Sequence, residues 1–223
     1  TAIGYQAGFS SDSNGSNVFI GALAGYEADS DNISSINNVY IGQSAGQFLD
    51  DGQNNVAIGL NAMASNSDGA NNVTNACIAI GRNAMATNAS SEGTIVIGHF
   101  AGDNGSNVTN DSVIIGREAG RGALTSATHG TVAIGYKALT ALTSGSKNTS
   151  IGYQAGSAMT TNNNSTYIGY RAGYYATGAQ NTVVGTEALV GVDGSTTANE
   201  NSIFGYYAGR DLTTGHGNCL MGR

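Results

Sequence analysis

The sequence contains no proline and no tryptophan, and only 10% of its 223 residues are charged. Average domains carry about 25% charged residues, so Asn, Ser, Thr and the backbone must solvate this surface. No apolar run approaches the ~18 residues that a membrane helix needs, and no signal peptide is recognisable; no membrane insertion is expected. Basic residues are scarce and unclustered, 8 Lys and Arg against 15 Asp and Glu for a net charge of −7. Phosphate binding needs clustered cations, so nucleic acid is not expected as a partner. What the chain has is glycine, 34 of them, with Ala, Ile, Val, Asn and Ser. A chain so poor in charge and rich in Asn and Ser could be disordered, but disorder does not produce a recurring Val-x-Ile pair.

That pair belongs to a repeat. Tyr40-Ile41-Gly42-Gln43-Ser44-Ala45-Gly46 recurs as a phrase from one end of the sequence to the other. Its first Gly appears at Gly4, Gly21, Gly42, Gly59, Gly81, Gly98, Gly116, Gly135, Gly152, Gly169, Gly185, Gly205 and Gly222, in steps of 16 to 22 residues. The preceding residue is Ile in ten of the thirteen copies, and the residue three further on is Ala wherever that part is present. Ile20, Gly21 and Ala24, Ile41, Gly42 and Ala45, Ile58, Gly59 and Ala62, Ile97, Gly98 and Ala101, and Ile151, Gly152 and Ala155 exemplify the structural repeat. Units this short cannot bury a core alone and must stack. The expectation is one repeat domain over 1–223, all-β, a parallel β-roll or β-solenoid of about twelve coils. Thr1-Ala2-Ile3-Gly4 and Met221-Gly222-Arg223 both lie inside a repeat, so a piece of a longer fibre is expected.

In the coil around Gly59, Val56 and Ile58 share one face of a strand and Ala57 takes the other. The Val56 column reads Val18, Val39, Ile78, Ile95, Val113 and Val132, then Thr149, Thr166, Thr182 and Ser202. With the Ile column beside it, this face is assigned inward, as the core ladder. The middle column, from Ala2, Phe19 and Tyr40 to Tyr167, Ile203 and Leu220, is also largely apolar. A strand apolar on both faces is covered on both, so the second face is expected to pack on another chain. Pairs such as Gln43-Ser44 and Arg117-Glu118 after the Gly read as the start of a second, outer strand, with the following Ala inward for lack of room. The Gly that closes most phrases, such as Gly8, Gly46 and Gly156, permits φ > 0 at a corner. The spacers between phrases are rich in turn formers and absorb all the length variation. Asn often ends them, at Asn17, Asn38, Asn55, Asn148, Asn181, Asn201 and Asn218, a column suited to an amide ladder.

The run Asn55 to Ala62, Asn-x-Val-x-Ile-Gly-x-x-Ala, resembles head repeats of trimeric autotransporter adhesins, and Asn148 to Ala155 resembles repeats of phage tail fibres. The resemblance covers essentially the whole chain. It implies a left-handed parallel β-roll assembled with two further copies of itself. It also implies a non-enzymatic extracellular segment that attaches to a cell-surface glycan or protein receptor, on the virion surface as a tail fibre or on a bacterial cell surface as an adhesin. The steps here are longer than the adhesin repeat, and neither coiled-coil stalk nor membrane anchor is visible. A purely structural shaft, or a monomeric surface- or ice-binding solenoid, is the remaining alternative.

Chemistry finds few candidates. His99, His129 and His216 fall in different coils, and there is no Gly-x-Ser-x-Gly, His-Glu-x-x-His or phosphate loop; neither catalysis nor a cofactor is expected. Carboxylates of different coils could still converge on one face. Asp29-Ser30-Asp31-Asn32 and Asp50-Asp51-Gly52 offer oxygen ligands without calcium-loop spacing, and His99 could meet its copies on a trimer axis. Asn14-Gly15-Ser16, Asn32-Ile33-Ser34, Asn72-Val73-Thr74 and Asn107-Val108-Thr109 match the glycosylation triplet. Cys77 and Cys219 are eight coils apart, nearly 40 Å at ~4.8 Å per coil, against about 7 Å for a disulfide; an intrachain bridge is excluded, leaving ladder substitutions, an interchain bridge or a reactive thiol. Tyr5, Tyr136, Tyr153, Tyr170 and Tyr206 form a column after the Gly, either a binding face or a stacking ladder.

Overall fold

The computed structural model describes residues 1–9, 15–26, 35–49, 52–65, 73–87, 91–103, 110–125 and 128–223. The chain forms a parallel β-solenoid of about eleven turns. One three-residue segment per repeat is extended. Thirteen such strands, from Ala2–Ile3, Val18–Ile20, Val39–Ile41 and Val56–Ile58 through to Ser202–Phe204 and Cys219–Met221, pair in parallel in one sheet in sequence order. Register is constant: Phe19 lies beside Tyr40, Ala57 beside Ala79, Ile134 beside Ile151. A second, two-stranded sheet joins Thr74–Asn75 to Ser91–Glu92.

The inside and outside of the strand are the reverse of the expectation above. Phe19, Tyr40, Ala57, Ala79, Val96, Ile114, Ala133, Ser150, Tyr167, Val183 and Ile203 are buried, and the Val and Ile on either side of them are half-buried or exposed. The core ladder is therefore the middle column, and Ile20, Ile41, Ile58, Ile97 and Ile151 stand on the outer face. The reason lies in the next residues. The Ala three after Gly is buried, with Ala24, Ala45, Ala62, Ala101 and Ala155 all at 0% exposure, and it closes the coil over the middle residue rather than over Ile.

Each coil adjusts its own volume. Where the middle residue is Phe19, Tyr40 or Tyr167, the residue six later is Gly25, Gly46 or Gly173, and a Cβ placed there would run into that ring. Where the middle residue is Ala57, Ala79 or Ala133, the same later position is Met63, Met85 or Leu139, all buried. Large side chains thus reach the interior from one wall or from the opposite one, at the density that close-packed interiors require. In the coil of Ser150 and Gly156 both positions are small, and Leu139 and Tyr167 from the neighbouring coils reach in towards Gly156.

The Gly after the strand has φ between 119° and 149° in all thirteen copies, a region that side chains other than hydrogen rarely adopt. A Cβ at Gly98 would lie 2.5 Å from the carbonyl oxygen of Gly116 in the next coil. Two residues later the backbone enters the left-handed region, and here the residues are not glycine. Gln6, Leu23, Ser44, Asn61, Asn83, Phe100, Glu118, Lys137, Gln154, Arg171, Glu187 and Tyr207 all have φ of 50° to 60°. This corner replaces the expected outer strand: the segment after Gly is a turn, because a left-handed residue ends any extended run. Its amides still bond along the stack, Ser44 N–H to Ala22 O at 2.9 Å and Gln154 N–H to Tyr136 O at 2.8 Å.

The Asn column lies inside the roll. Asn38, Asn55, Asn148 and Asn181 are fully buried, and the ladder runs largely from side chain to backbone. Asn17 Oδ1 accepts from Asn38 N–H at 2.8 Å, Asn38 Oδ1 from Asn55 N–H at 2.9 Å, and Asn55 Oδ1 from Cys77 N–H at 3.0 Å. Amide-to-amide bonds join Asn181, Asn201 and Asn218, at 3.1 and 2.8 Å. Where the column is not Asn, Cys77 Sγ and Ser112 Oγ accept the same backbone bond, from Thr94 N–H at 3.4 Å and Thr131 N–H at 3.2 Å. Cys77 is thus a ladder substitution; burial pushes its thiol up to about 11. Cys219 is exposed and both thiols are free.

Candidate functional site

Among the described residues, three surfaces present distinctive side chains outward. The first is the outer strand face. Two columns two residues apart, Val18 to Val132 and Ile20 to Ile134, give way to Thr149, Thr166 and Thr182 beside Ile151, Ile168 and Val184. Ile20 and Ile151 are each 36% exposed and Phe204 is 38% exposed. At ~4.8 Å per strand and about 10 Å of width the face measures on the order of 600 Å², the upper end of the apolar patches that monomers show.

The second surface is the column just after Gly. Tyr153 and Tyr170 stack with ring centroids 5.3 Å apart, and the Tyr136 ring lies 5.0 Å from that of Tyr153, tilted by 36°. Facing rings occupy each other's π surfaces, so the ladder presents edges and hydroxyls and stiffens three successive coils. The Arg117 guanidinium continues it, 4.8 Å above the Tyr136 ring and donating to the phenol oxygen at 3.2 Å; that bond holds the Tyr136 phenol below its usual value. Beside it Glu118 gathers Arg117, Lys137 and Arg121 at 3.4, 3.6 and 3.7 Å. Glu187 holds Arg210 at 3.3 Å and Arg171 at 4.0 Å in the same column. His99 is exposed and its ring lies 4.3 Å from that of Phe100; His129 and His216 sit in isolated bridges at coil edges.

The third is a polar notch with a cavity of about 320 Å³, lined by Gln47, Asn61, Ala64, Ser65, Asn83, Ala86, Thr87 and Asp103. It spans coils that stack directly. Position by position, Gln47, Ala64, Ala86 and Asp103 occupy one column, five residues after their Gly, and Asn61 and Asn83 are left-handed corner residues of the same coils. Elsewhere the first column carries Phe9, Tyr26, Arg121, Thr140, Ser157, Tyr174, Val190 and Arg210. Two consecutive alanines, Ala64 and Ala86, stand in it between Gln47 and Asp103, and the gap they leave is the notch. Reading by repeat phrase alone missed it, because the phrase was read only as far as the residue after Ala. The signal in the sequence is the pair Ala64 and Ala86 between Gln47 and Asp103.

Among the described residues no three His, Cys, Asp or Glu converge as metal ligands do, and no helix is long and apolar enough to cross a membrane. Asp29-Ser30-Asp31-Asn32, the Asp50-Asp51 pair, and the triplet asparagines Asn14, Asn32, Asn72 and Asn107 lie outside the described residues. No family model, curated protein or solved structure matches the chain.

Proposed function

We propose that the chain is a segment of an extracellular attachment fibre of the phage tail-fibre kind, built as a parallel homotrimer and not an enzyme. The observation that carries this reading is the outer strand face. A row of half-exposed Ile runs most of the length of the solenoid, with Val beside it as far as Val132 and Thr and Ser beyond, and burying apolar surface is favourable by about 25 cal/mol per Å². On the order of 600 Å² per chain is enough for three copies to enclose one axis. The threefold arrangement keeps every chain in the same register, so each Val meets a Val or Ile of a partner at its own level. The partners are therefore two further copies of this chain and, through the surfaces left outside, a glycan or protein of a cell surface. Variable spacers on a constant stack suit that task, since recognition residues concentrate on loops held by a rigid scaffold.

Light scattering tests the assembly: three chains of 22.4 kDa are expected, and a stable monomer would remove the argument. Saturable binding of the assembled protein to a panel of bacterial cells tests attachment. Release of reducing sugar from those cells would overturn the non-enzymatic reading.

A further inference from the structure

We infer that the notch between Gln47 and Asp103 is a binding site for a single neutral sugar ring. This deepens the attachment reading and rests on it for its biological role, naming a place and a ligand class on a surface that the trimer leaves free. The notch lies round the corner from the outer strand face, beyond the constrained Gly and the left-handed residue of each coil.

Size comes first. Ligand pockets run from about 300 to 1,000 Å³, and this cavity of about 320 Å³ takes one ring. Its floor is two methyl groups, Ala64 and Ala86, one coil apart and therefore ~4.8 Å apart along the stack. Such a floor fits the C–H face of a pyranose.

Its walls fit the hydroxyls. Asn61, Asn83 and Gln47 both donate and accept, as vicinal hydroxyls do. Asn61 Nδ2 donates to Asn83 Oδ1 at 3.4 Å, a long bond that fixes the two amides side by side. The Gln47 side chain makes no hydrogen bond among the described residues. Nor does the Asp103 carboxylate, although Asp103 is only 6% exposed. Its oxygens keep their contact with solvent in the notch, and a pair of ligand hydroxyls can donate to them in place of water. Asp103 is the charged side chain of the lining, and Arg121 and His99 lie near enough to act on it electrostatically. No ring of the protein lines it, which leaves a flat aromatic ligand without a stacking partner.

The test uses the assembled protein and the methyl glycosides of glucose, galactose, mannose and N-acetylglucosamine, titrated by saturation-transfer NMR and calorimetry. At least one is expected to bind saturably in the millimolar range. Ala64→Tyr and Ala86→Gln fill the notch with side chains that the same column carries at Tyr26 and Gln47, so the fold tolerates them; each is expected to weaken binding at least tenfold with melting unchanged. Asn83→Ala and Asp103→Asn are expected to weaken it several-fold. No saturable binding of any of the four glycosides would overturn the site. So would binding to Ala64→Tyr and Ala86→Gln as tight as to the parent. Cell attachment is measured in parallel: a parent that attaches to cells while the glycosides fail sinks the notch and leaves the fibre reading standing. A parent that attaches to no cell sinks the fibre reading.

Discussion

The exchange of volume between the middle column and the position six residues later can be tested by moving one coil's solution into another. Tyr40 is fully buried opposite Gly46, and Ala57 is buried opposite Met63 in the next coil. Tyr40→Ala empties a ring-sized space and is expected to cost about 3–5 kcal/mol, the range for large aromatic truncations in cores. Gly46→Met drives a side chain into the Tyr40 ring, at a backbone φ of +62°. Overpacking adds roughly 1–3 kcal/mol and the left-handed backbone about 1–2 kcal/mol. If the two sites were independent, the double variant would lose the sum, on the order of 5–10 kcal/mol, comparable to a whole domain's stability of about 5–15 kcal/mol. The double variant Tyr40→Ala, Gly46→Met instead recreates the Ala57 and Met63 arrangement, so it is expected to lose only about 1–2 kcal/mol, mostly the backbone term. The coupling between the sites is then roughly 3 kcal/mol or more, at the top of the range for contacting residues. Urea melts of the four proteins at one fixed concentration measure it. Additivity within ~0.5 kcal/mol, the behaviour of separate sites, would refute the idea that coils balance volume across the roll.

Gly98→Ala meets the Gly116 carbonyl oxygen at 2.5 Å and is expected to cost about 3 kcal/mol or more, whereas Gly194→Ala, with nothing within 4 Å, costs only about 1–2 kcal/mol; equal thermal shifts would contradict this. Asn148→Ala orphans Ser165 N–H and the Asn162 carbonyl, a loss of about 2–4 kcal/mol, and Asn148→Ser should recover part of it, because Ser112 serves the same role in this column. Burial raises the Asp103 pKa, so its carboxyl contributes stability that is full below the ordinary carboxylate value and declines as pH rises through the raised one. Asp103→Asn is therefore expected to melt higher than the parent at pH 7 and to match it near pH 3; a constant difference across that range would show that the charge is not the cause. Ile58→Glu combined with Ile97→Glu places charge on the outer strand face and is expected to yield monomers by light scattering with the β circular dichroism retained; an intact trimer would move the interface elsewhere.

The period, the strand positions and the inward Ala were legible because each is repeated a dozen times in columns that must stay in register. The direction of the strand was not. Three residues, all apolar in most coils, present two faces with equal claim to the core. Two signals could have decided it. The Val56 column drifts to Thr149, Thr166, Thr182 and Ser202, a change that an outer face tolerates. In most coils the position after the constant Ala swaps Gly for Met or Leu according to the size of the middle residue, as a shared interior requires. The left-handed corner was hidden because it is filled by Gln, Asn, Glu, Lys, Arg and even Leu23 and Phe100, residues with no preference for that backbone; the constrained Gly before them and the stacked amides impose it. The notch was hidden for another reason, being an absence of bulk in two successive copies.

The strands lie across the long axis of the stack, and that orientation decides how the solenoid meets a pull. Tension along the axis opens the backbone hydrogen bonds between neighbouring coils one after another, like a zip, rather than shearing a whole row together. Each coil of 17 residues that peels away lengthens the chain by up to about 55 Å, the extended length of roughly 3.4 Å per residue less the rise of one strand. A stack of this design yields in small, repeatable increments at modest load and re-forms from the coil still standing beside the gap. Force–extension traces of a single chain would record it as a staircase, and one all-or-none rupture would exclude it.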